Sequence, residues 1–218
     1  MAVNKDYNMI TLDGLCKLFE TRVGRRSPMI KELLKGGSLL ELGAGNARNM
    51  RGVYKNFGIK NMHLVDSHAK SLEGLDKIDN VQTSAQDVNE WIKTNVDREF
   101  TVLLGVWILS YINEKEINQI LGWAKQNVEY LIFVEPVHIL KTKREMKQEF
   151  VLNPELQMIG RHETAYLTLF TGFGFEVMDT GIFTHPKDGE VGTTTHYFIL
   201  KSKSAKEGTD LIKGKNDE

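Results

Sequence analysis

The chain has 218 residues, 41% hydrophobic and 26% charged, so it is too apolar for a disordered protein and has a length that suits one domain. Its 28 lysines and arginines nearly balance its 29 aspartates and glutamates, which removes any global attraction to nucleic acid or to an anionic membrane. The single cysteine, Cys16, excludes an internal disulfide framework and a cysteine-rich zinc module.

The two ends of the chain differ from its middle. Apolar residues recur at helical spacing over 12–19 and 29–34, which predicts two helices, or one interrupted helix, in an N-terminal extension of residues 1–36. The main domain is expected over 37–201. Residues 202–218 are charged and carry little apolar surface, which predicts a flexible tail, with a docking tail as the alternative.

The first residues lack the layout of a signal peptide, and no apolar run approaches the roughly 20 residues of a membrane span. We therefore expect a cytoplasmic or nuclear protein without a nucleic-acid or membrane partner.

Short apolar runs alternate with amphipathic segments throughout the main domain. The predicted strands are Ser38–Leu42, 62–65, 81–84, Phe100–Val106, 130–134, 175–183 and 195–201. The predicted helices are 46–57, 69–75, 88–96, 113–127 and 161–171. Strands that alternate with helices indicate a parallel sheet, and the turn-rich loop before the last strand indicates an antiparallel hairpin. The sequence thus predicts an α/β fold: a doubly wound, mostly parallel sheet with a C-terminal hairpin.

A glycine-rich turn joins the first predicted strand to its helix. Gly43 and Gly45 let the backbone approach a ligand closely there, and Asp66, at the end of the second strand, can hydrogen-bond both hydroxyls of a ribose. The third glycine of a dinucleotide-binding turn is replaced by Arg48, and the carboxylate of Glu41 precedes the turn, which disfavours a pyrophosphate. S-adenosylmethionine, which has a ribose, an ammonium and a carboxylate but no phosphate, fits better. The alternative is that the glycines only make a tight turn.

The chain also resembles a family at these positions. The segments ELGAGNAR, LVDS, AQDV and GVWILSYIN, in this order and spacing, resemble the class I S-adenosylmethionine-dependent methyltransferases, which have a Rossmann-like fold. Within that superfamily the chain is most similar to the alpha-N-terminal protein methyltransferases. The shared features are the N-terminal extension, Arg48, the Gln86-Asp87 pair and Trp107.

The resemblance implies a role for each matching residue. Gly43 and Gly45 would pack beneath the cofactor with Glu41 nearby, Arg48 would pair with its carboxylate, and Asp66 would hold its ribose. The adenine would lie between Ala85 and Gln86. The methyl-transfer site would be flanked by Val106 and Trp107. No metal is expected, because the six histidines show no metal-binding spacing.

The acceptor side departs from that family. Val106 stands where the family has a glutamine, Tyr111 where it has a histidine, and Glu135-Pro136 where it has an acid and an asparagine. The catalytic candidates are Trp107, Tyr111, Glu135 and His162. Each has a structural alternative: Trp107 in the core, Tyr111 as a half-buried packing residue, Glu135 at a strand end and His162 at a helix start.

The sequence therefore predicts a methyltransferase that acts on an amine, which is the N-terminus of a protein or a small molecule. An α-amine has an ordinary pKa of about 7.7–8.0, so only a modest base is needed to deprotonate it. Two alternatives remain: a catalytically weak or inactive regulator or subunit with the methyltransferase fold, and a methyltransferase of small molecules.

Overall fold

A computed structural model of the chain describes residues 35–45, 47, 58–138, 150–153, 158–184 and 193–203. Contacts group the chain into two compact units, Met1–Trp91 and Ile92–Glu218. Several predictions lie outside the described residues: the N-terminal helices, the helix over 46–57, Arg48 and the tail after 203. The division into an extension, a main domain and a tail stays a prediction.

The first unit contains three parallel strands in the order β3-β2-β1. The elements along the chain are β1 (Ser38–Leu42), β2 (Asn61–Asp66), α1 (Ala69–Leu72), a 3-10 turn (Leu75–Lys77), β3 (Val81–Ala85) and the start of α2 (Val88–Thr94). All three predicted strands are confirmed to within a residue or so. Both β1 and β2 are buried over most of their length. This burial matches their continuous apolar sequences, which are typical of strands in a parallel sheet.

A buried histidine joins three elements of this unit. The Nε2 atom of His63 on β2 lies 3.1 Å from Nε1 of Trp91 and 2.8 Å from Oγ of Ser84, and its Nδ1 lies 3.2 Å from Oε1 of Gln82. Because an indole nitrogen only donates, Nε2 accepts and Nδ1 carries the proton. The imidazole therefore links β2, β3 and α2 through side-chain hydrogen bonds, of which the one to Trp91 is buried.

Among its described residues the second unit contains four strands of the sheet, in the order β4-β5-β9-β8. With the three strands of the first unit, the described residues form a mixed sheet of seven strands. Its elements are β4 (Phe100–Val106), α3 (Glu114–Asn127), β5 (Val128–His138), β6 (Phe150–Asn153), β7 (Met158–Gly160), α4 (Glu163–Gly172), β8 (Phe175–Thr184) and β9 (Thr193–Ser202). The strands β4 and β5 are parallel, whereas β9 runs antiparallel to both β5 and β8. The predicted C-terminal hairpin is confirmed.

A helix cap and a cluster of aromatic rings stabilise helices α3 and α4 of this unit. Helix α3 begins with a capping box in which Asn113 and Glu116 exchange side-chain and backbone hydrogen bonds, as the sequence predicts. Helix α4 packs through aromatic rings: Phe170 stacks on Phe133 at 5.6 Å between ring centroids and meets Phe198 edge-on at 5.4 Å.

The structure differs from the prediction in three places. The helix predicted over 69–75 ends at Leu72, just before Gly74, whose φ of 78° is left-handed and cannot continue an α-helix. Strand β5 continues past the predicted end at residue 134 to His138, because every residue from Val134 to His138 pairs with β9. A two-stranded sheet of β6 and β7 was not predicted. These strands have only four and three residues, too few for a pattern of alternating hydrophobicity to be visible. Among the described residues no helix is long and apolar enough to cross a membrane.

The chain folds back on itself immediately after β4, and Gly105 permits this. A Cβ atom on Gly105 would lie 2.7 Å from Cγ2 of Ile108 and 2.8 Å from the ring of Phe133, distances that side chains do not tolerate. Only a glycine therefore leaves room for Ile108 and for the aromatic core beside it.

We predict that Gly105→Ala destabilises the protein by about 1–3 kcal/mol or more, because the added methyl group overpacks a buried site. Gly122→Ala is the matched control: among the described residues its Cβ would lie no closer than 3.9 Å to a neighbour, the ring of Phe173, and alanine is favoured over glycine inside a helix such as α3. Urea unfolding of the two variants measures the difference, and equal stabilities would contradict the packing argument.

Candidate functional site

The turn after β1 has the backbone conformation that the glycines were expected to allow. Gly43 and Gly45 have φ values of 67° and 52°, in the left-handed region that favours glycine. The amides of Gly43 and Ala44 both donate to the carbonyl of Val65 on β2, at 2.9 and 3.1 Å. Within the described ranges, a Cβ on Gly45 would have no atom within 4 Å.

The carboxylate of Asp66 is bound to this turn. Its Oδ2 accepts the N–H of Gly45 at 2.8 Å, and its Oδ1 accepts the N–H of His68 at 2.8 Å. An ionised carboxylate offers about four acceptor positions, and among the described residues each oxygen of Asp66 accepts one hydrogen bond, which leaves room for a further donor on each. Asp66 is half-buried at the end of β2 and is therefore placed to accept two hydroxyl groups.

This arrangement affects a ligand with a pyrophosphate differently from a nucleoside without phosphate. The Gly45 amide is already used by a carboxylate, and the carboxylate itself stands beside the turn. A pyrophosphate placed on the same turn would therefore meet a negative charge in place of a free donor, which is unfavourable. A nucleoside whose ribose hydroxyls donate to Asp66 has no such conflict.

The segment after β3 adds further polar groups to this unit. Ala85 is exposed and Gln86 is half-buried, and the register pairs Ala85 with Asp66 on β2. The Oδ1 of Asp87 accepts the amides of Asn89 and Glu90, at 2.8 and 3.3 Å, and so begins α2. The side chain of Asn89 is buried, and neither its Nδ2 nor its Oδ1 has a hydrogen-bond partner within the described ranges. The sequence analysis missed Asn89, because an asparagine in the first turn of a helix carries no signal of burial.

The first unit thus brings together several of the expected cofactor residues. Gly43, Gly45 and Asp66 meet through the hydrogen bonds above, with Ala85 at the end of the adjacent strand. Glu41 is on β1 with 1% of its surface exposed. The expected role of Arg48 stays a prediction.

In the second unit, residues 107–112, which we call the β4 loop, connect β4 to α3. The amide of Trp107 donates to the carbonyl of Val134 at 2.8 Å, and Trp107 has a φ of 60°, which is rare for a residue with a side chain. The hydroxyl of Ser110 donates to the carbonyl of Trp107 at 2.8 Å. Val106 and Trp107 are both half-buried, so neither belongs wholly to the core.

Glu135 is the most unusual ionisable group of the second unit. Its side chain is completely buried within β5, and its Oε1 accepts the amide of Leu109 at 2.9 Å. Burial raises the pKa of this carboxyl from 4.5 to about 8, although the Leu109 amide and the nearby Arg161 charge act in the opposite direction. The carboxyl therefore anchors the β4 loop. The alternative of a residue that caps a strand end is wrong, because β5 continues three residues beyond it.

The guanidinium of Arg161 contacts the same loop. Its Nη1 donates to the carbonyl of Leu109 at 2.6 Å, and its Nη2 donates to the carbonyl of Ile112 at 3.2 Å. The neighbouring amide of Ile159 donates to the carbonyl of Ser110 at 2.7 Å. The sequence analysis noted Arg161 only as the start of a helix. A charged residue just before a helix is ordinarily solvated, and no local pattern shows that this one is buried.

The remaining catalytic candidates lie at the surface or at a helix end. Tyr111 is 41% exposed, and the alternative of a half-buried packing residue stays a prediction. His162 is the N-cap of α4, and its Nδ1 accepts the amide of Thr164 at 3.2 Å, as the helix-start alternative predicts. Among the described residues no cluster of three His, Cys, Asp or Glu side chains is suited to a metal ion.

Comparison with known proteins identifies the fold. No protein-family model matches the chain, and no curated protein does. Solved structures do match. A SAM-dependent methyltransferase from Leishmania major has a TM-score of 0.64 at 16% identity, over 87% of this chain and 71% of that chain. A SAM-dependent methyltransferase from Methanosarcina mazei has a TM-score of 0.59 at 17% identity, over 80% and 97%.

A third match is the geranyl diphosphate C-methyltransferase from Streptomyces coelicolor, with a TM-score of 0.60 at 10% identity, over 87% of this chain and 81% of that chain. Its structure contains S-adenosyl-L-homocysteine, the demethylated form of the cofactor. At these identities the likeness establishes the fold alone. The predicted fold class, an α/β fold with a mostly parallel sheet and a C-terminal antiparallel hairpin, is confirmed.

We predict that the protein loses stability as the pH rises from 5 to 9 and that Glu135→Gln reduces this loss. The folded-state pKa of about 8 lies above the ordinary 4.5, so between these values the folded protein binds more protons than the unfolded chain. Stability therefore falls through this window, and glutamine, which cannot ionise, removes the effect.

The expected result is a melting temperature for the variant that matches wild type near pH 5 and exceeds it by at least several degrees near pH 9. Glu129→Gln, at an exposed position of the same strand, is the control and should follow wild type. Parallel pH profiles for wild type and Glu135→Gln would contradict the burial argument.

Proposed function

We propose that the chain is an S-adenosylmethionine-dependent methyltransferase that acts on an amine, in particular the α-amine of a protein or peptide in the cytoplasm or nucleus. The observation that carries the proposal is the carboxylate of Asp66. It is fixed by the amides of Gly45 and His68, and within the described part of the chain its two oxygens retain acceptor positions for two ribose hydroxyls. The confirmed fold supports the choice of cofactor.

The residues of the first unit fit the cofactor in chemical type. Asp66 would accept from the ribose, the backbone at Gly45 would lie against the methionine portion, and Ala85 with Gln86 would flank the adenine. Asn89, in the adjoining helix, supplies a side-chain donor and acceptor that have no partner in the part of the chain that the structure describes. When bound, S-adenosylmethionine supplies an electrophilic methyl group on a sulfonium.

The second unit supplies groups suited to an amine. A half-buried indole such as that of Trp107 offers an aromatic face, which attracts the cationic product of amine methylation. The acceptor needs an unprotonated amine, and an α-amine with an ordinary pKa near 8 provides a substantial neutral fraction at physiological pH. Lysine, with an ordinary pKa of about 10.4, would be almost wholly protonated at physiological pH.

One observation favours a second candidate, a methyltransferase of small molecules. The similar structure from Streptomyces coelicolor is described as a geranyl diphosphate C-methyltransferase, so the same fold accommodates a small acceptor. The third possibility, an inactive regulator or subunit with a retained cofactor cleft, is motivated by Glu135. This carboxyl is engaged with the β4 loop and is not presented to an acceptor.

Binding of the cofactor product tests the first half of the proposal. We predict that wild type binds S-adenosyl-L-homocysteine in isothermal titration calorimetry and that Asp66→Ala weakens binding at least about tenfold, because hydrogen bonds to a charged group are lost. Asp97→Ala, which removes an exposed carboxylate of the second unit, should bind like wild type. Equal affinities for all three proteins would contradict the assignment of Asp66.

Transfer of a labelled methyl group tests the acceptor. We predict that label passes to a library of peptides with a free N-terminus and that acetylation of the same peptides abolishes transfer. The dependence on pH should follow deprotonation of the α-amine, with the rate rising from pH 6 to 8.

Label found only on small molecules would favour the second candidate. Measurable binding of S-adenosyl-L-homocysteine without any transfer would favour the regulator.

A further inference from the structure

A single peptide group in the β4 loop is held from both sides by buried ionisable side chains. The amide of Leu109 donates to Oε1 of Glu135 at 2.9 Å, and the carbonyl of Leu109 accepts from Nη1 of Arg161 at 2.6 Å. Glu135 has no exposed surface, and Arg161 has 5%. Hydrogen bonds to ionisable groups in such a buried setting are strong and directional.

We propose that Glu135 and Arg161 are positioning residues for methyl transfer, which hold the Leu109 peptide so that the β4 loop presents Trp107 to the methyl acceptor. The inference rests on the proposed function. Neither side chain touches the reacting atoms; both act through the backbone of the loop.

The strained backbone of the loop explains why such a hold is needed. A φ of 60° at Trp107 is unfavourable for a residue with a side chain and persists only where the surroundings over-determine it. The amide of Trp107 is held by Val134, and its carbonyl is held by the hydroxyl of Ser110. Without the bonds at Leu109, the residues that follow Trp107 would be free to relax this conformation.

Arg161 also connects the loop to the segment between β7 and α4. Its second amino group donates to the carbonyl of Ile112, and the amide of Ile159 donates to the carbonyl of Ser110. Ile159 and Arg161 therefore donate hydrogen bonds to three carbonyls of the β4 loop. Lysine cannot reproduce this, because a single ammonium lacks the fixed fork of donors.

The geometry argues against Glu135 as the general base. A base must lie within hydrogen-bond distance of the proton that it removes, whereas the Glu135 carboxyl is fully buried and already accepts from Leu109. Glutamine at this position would still accept the same amide through its side-chain oxygen. Glu135→Gln therefore separates the two roles, because it retains a positioning residue and removes a base.

The test uses the full chain with Glu135→Gln, Glu135→Leu, Arg161→Lys and Arg161→Met, and with Glu129→Leu as a control on the same strand. Three quantities are measured: hydrogen exchange of the Leu109 and Ser110 amides, kcat and KM for a peptide acceptor, and Kd for S-adenosyl-L-homocysteine. The conservative variants carry the test where Glu135→Leu or Arg161→Met does not fold.

We expect Glu135→Gln to keep the exchange rates and kcat within about threefold of wild type. Both Arg161 variants and Glu135→Leu should exchange Leu109 and Ser110 at least about tenfold faster and lose at least about tenfold in kcat. Their Kd should stay within about twofold of wild type. Glu129→Leu should match wild type in all three measurements.

Three results would overturn the inference. Loss of turnover in Glu135→Gln with normal exchange would make Glu135 the base. Unchanged exchange in the Arg161 variants would show that Arg161 does not hold the loop. Faster exchange without any loss of kcat would reduce the two residues to a structural role. Failure of the proposed function looks different, since wild type itself would then neither bind S-adenosyl-L-homocysteine nor transfer a methyl group.

Discussion

The hydrogen bond between the Gly45 amide and the Asp66 carboxylate is the constraint on which the functional interpretation depends. It links two positions 21 residues apart and fixes an acidic side chain at the end of β2 beside a turn that contains two glycines, Gly43 and Gly45. Both consequences restrict the ligand. The carboxylate selects hydroxyl or ammonium donors and repels phosphate, and the glycine turn admits close approach. The confirmed fold is one that binds such a nucleoside in known proteins, but the restriction arises from this chain's own residues.

In the second unit, hydrogen bonds to buried side chains fix the backbone of the β4 loop. A short backbone segment with one strained residue is kept in place by a buried carboxyl and a buried guanidinium, which pair with both polar groups of Leu109. An uncharged side-chain oxygen would accept the same hydrogen bond from the Leu109 amide. A charge on Glu135 is therefore not needed to keep the β4 loop in place. The raised pKa of Glu135 is a consequence of burial, and we assign no role in proton transfer to it.

Much of the fold could be predicted from the sequence, because its signals are local. Apolar runs predicted the strands of the seven-stranded sheet, and Asn113 with Glu116 predicted the start of α3. Strand β5 was predicted too short, since its last residues are stabilised by pairing with a distant strand, β9. The two short strands β6 and β7 escaped detection for lack of length. The left-handed turn at Gly43 and Gly45 and the position of Asp66 at the end of β2 could also be predicted, because both follow strands whose ends are easily located. The burial and the contacts of Arg161, Asn89 and Glu135 could not be predicted, since burial and contacts across tens of residues leave no periodic trace in the sequence.

The most direct test of the central claim is a titration of the ¹⁵N-labelled chain with S-adenosyl-L-homocysteine, followed by the amide resonances of the backbone. The account predicts saturable shifts, with a single binding constant, at Gly43, Gly45, Asp66, His68 and Gln86, and none at exposed positions of α3 such as Asn118 and Gln119. Shifts absent from the glycine turn and from the end of β2, at ligand concentrations in the millimolar range, would contradict it.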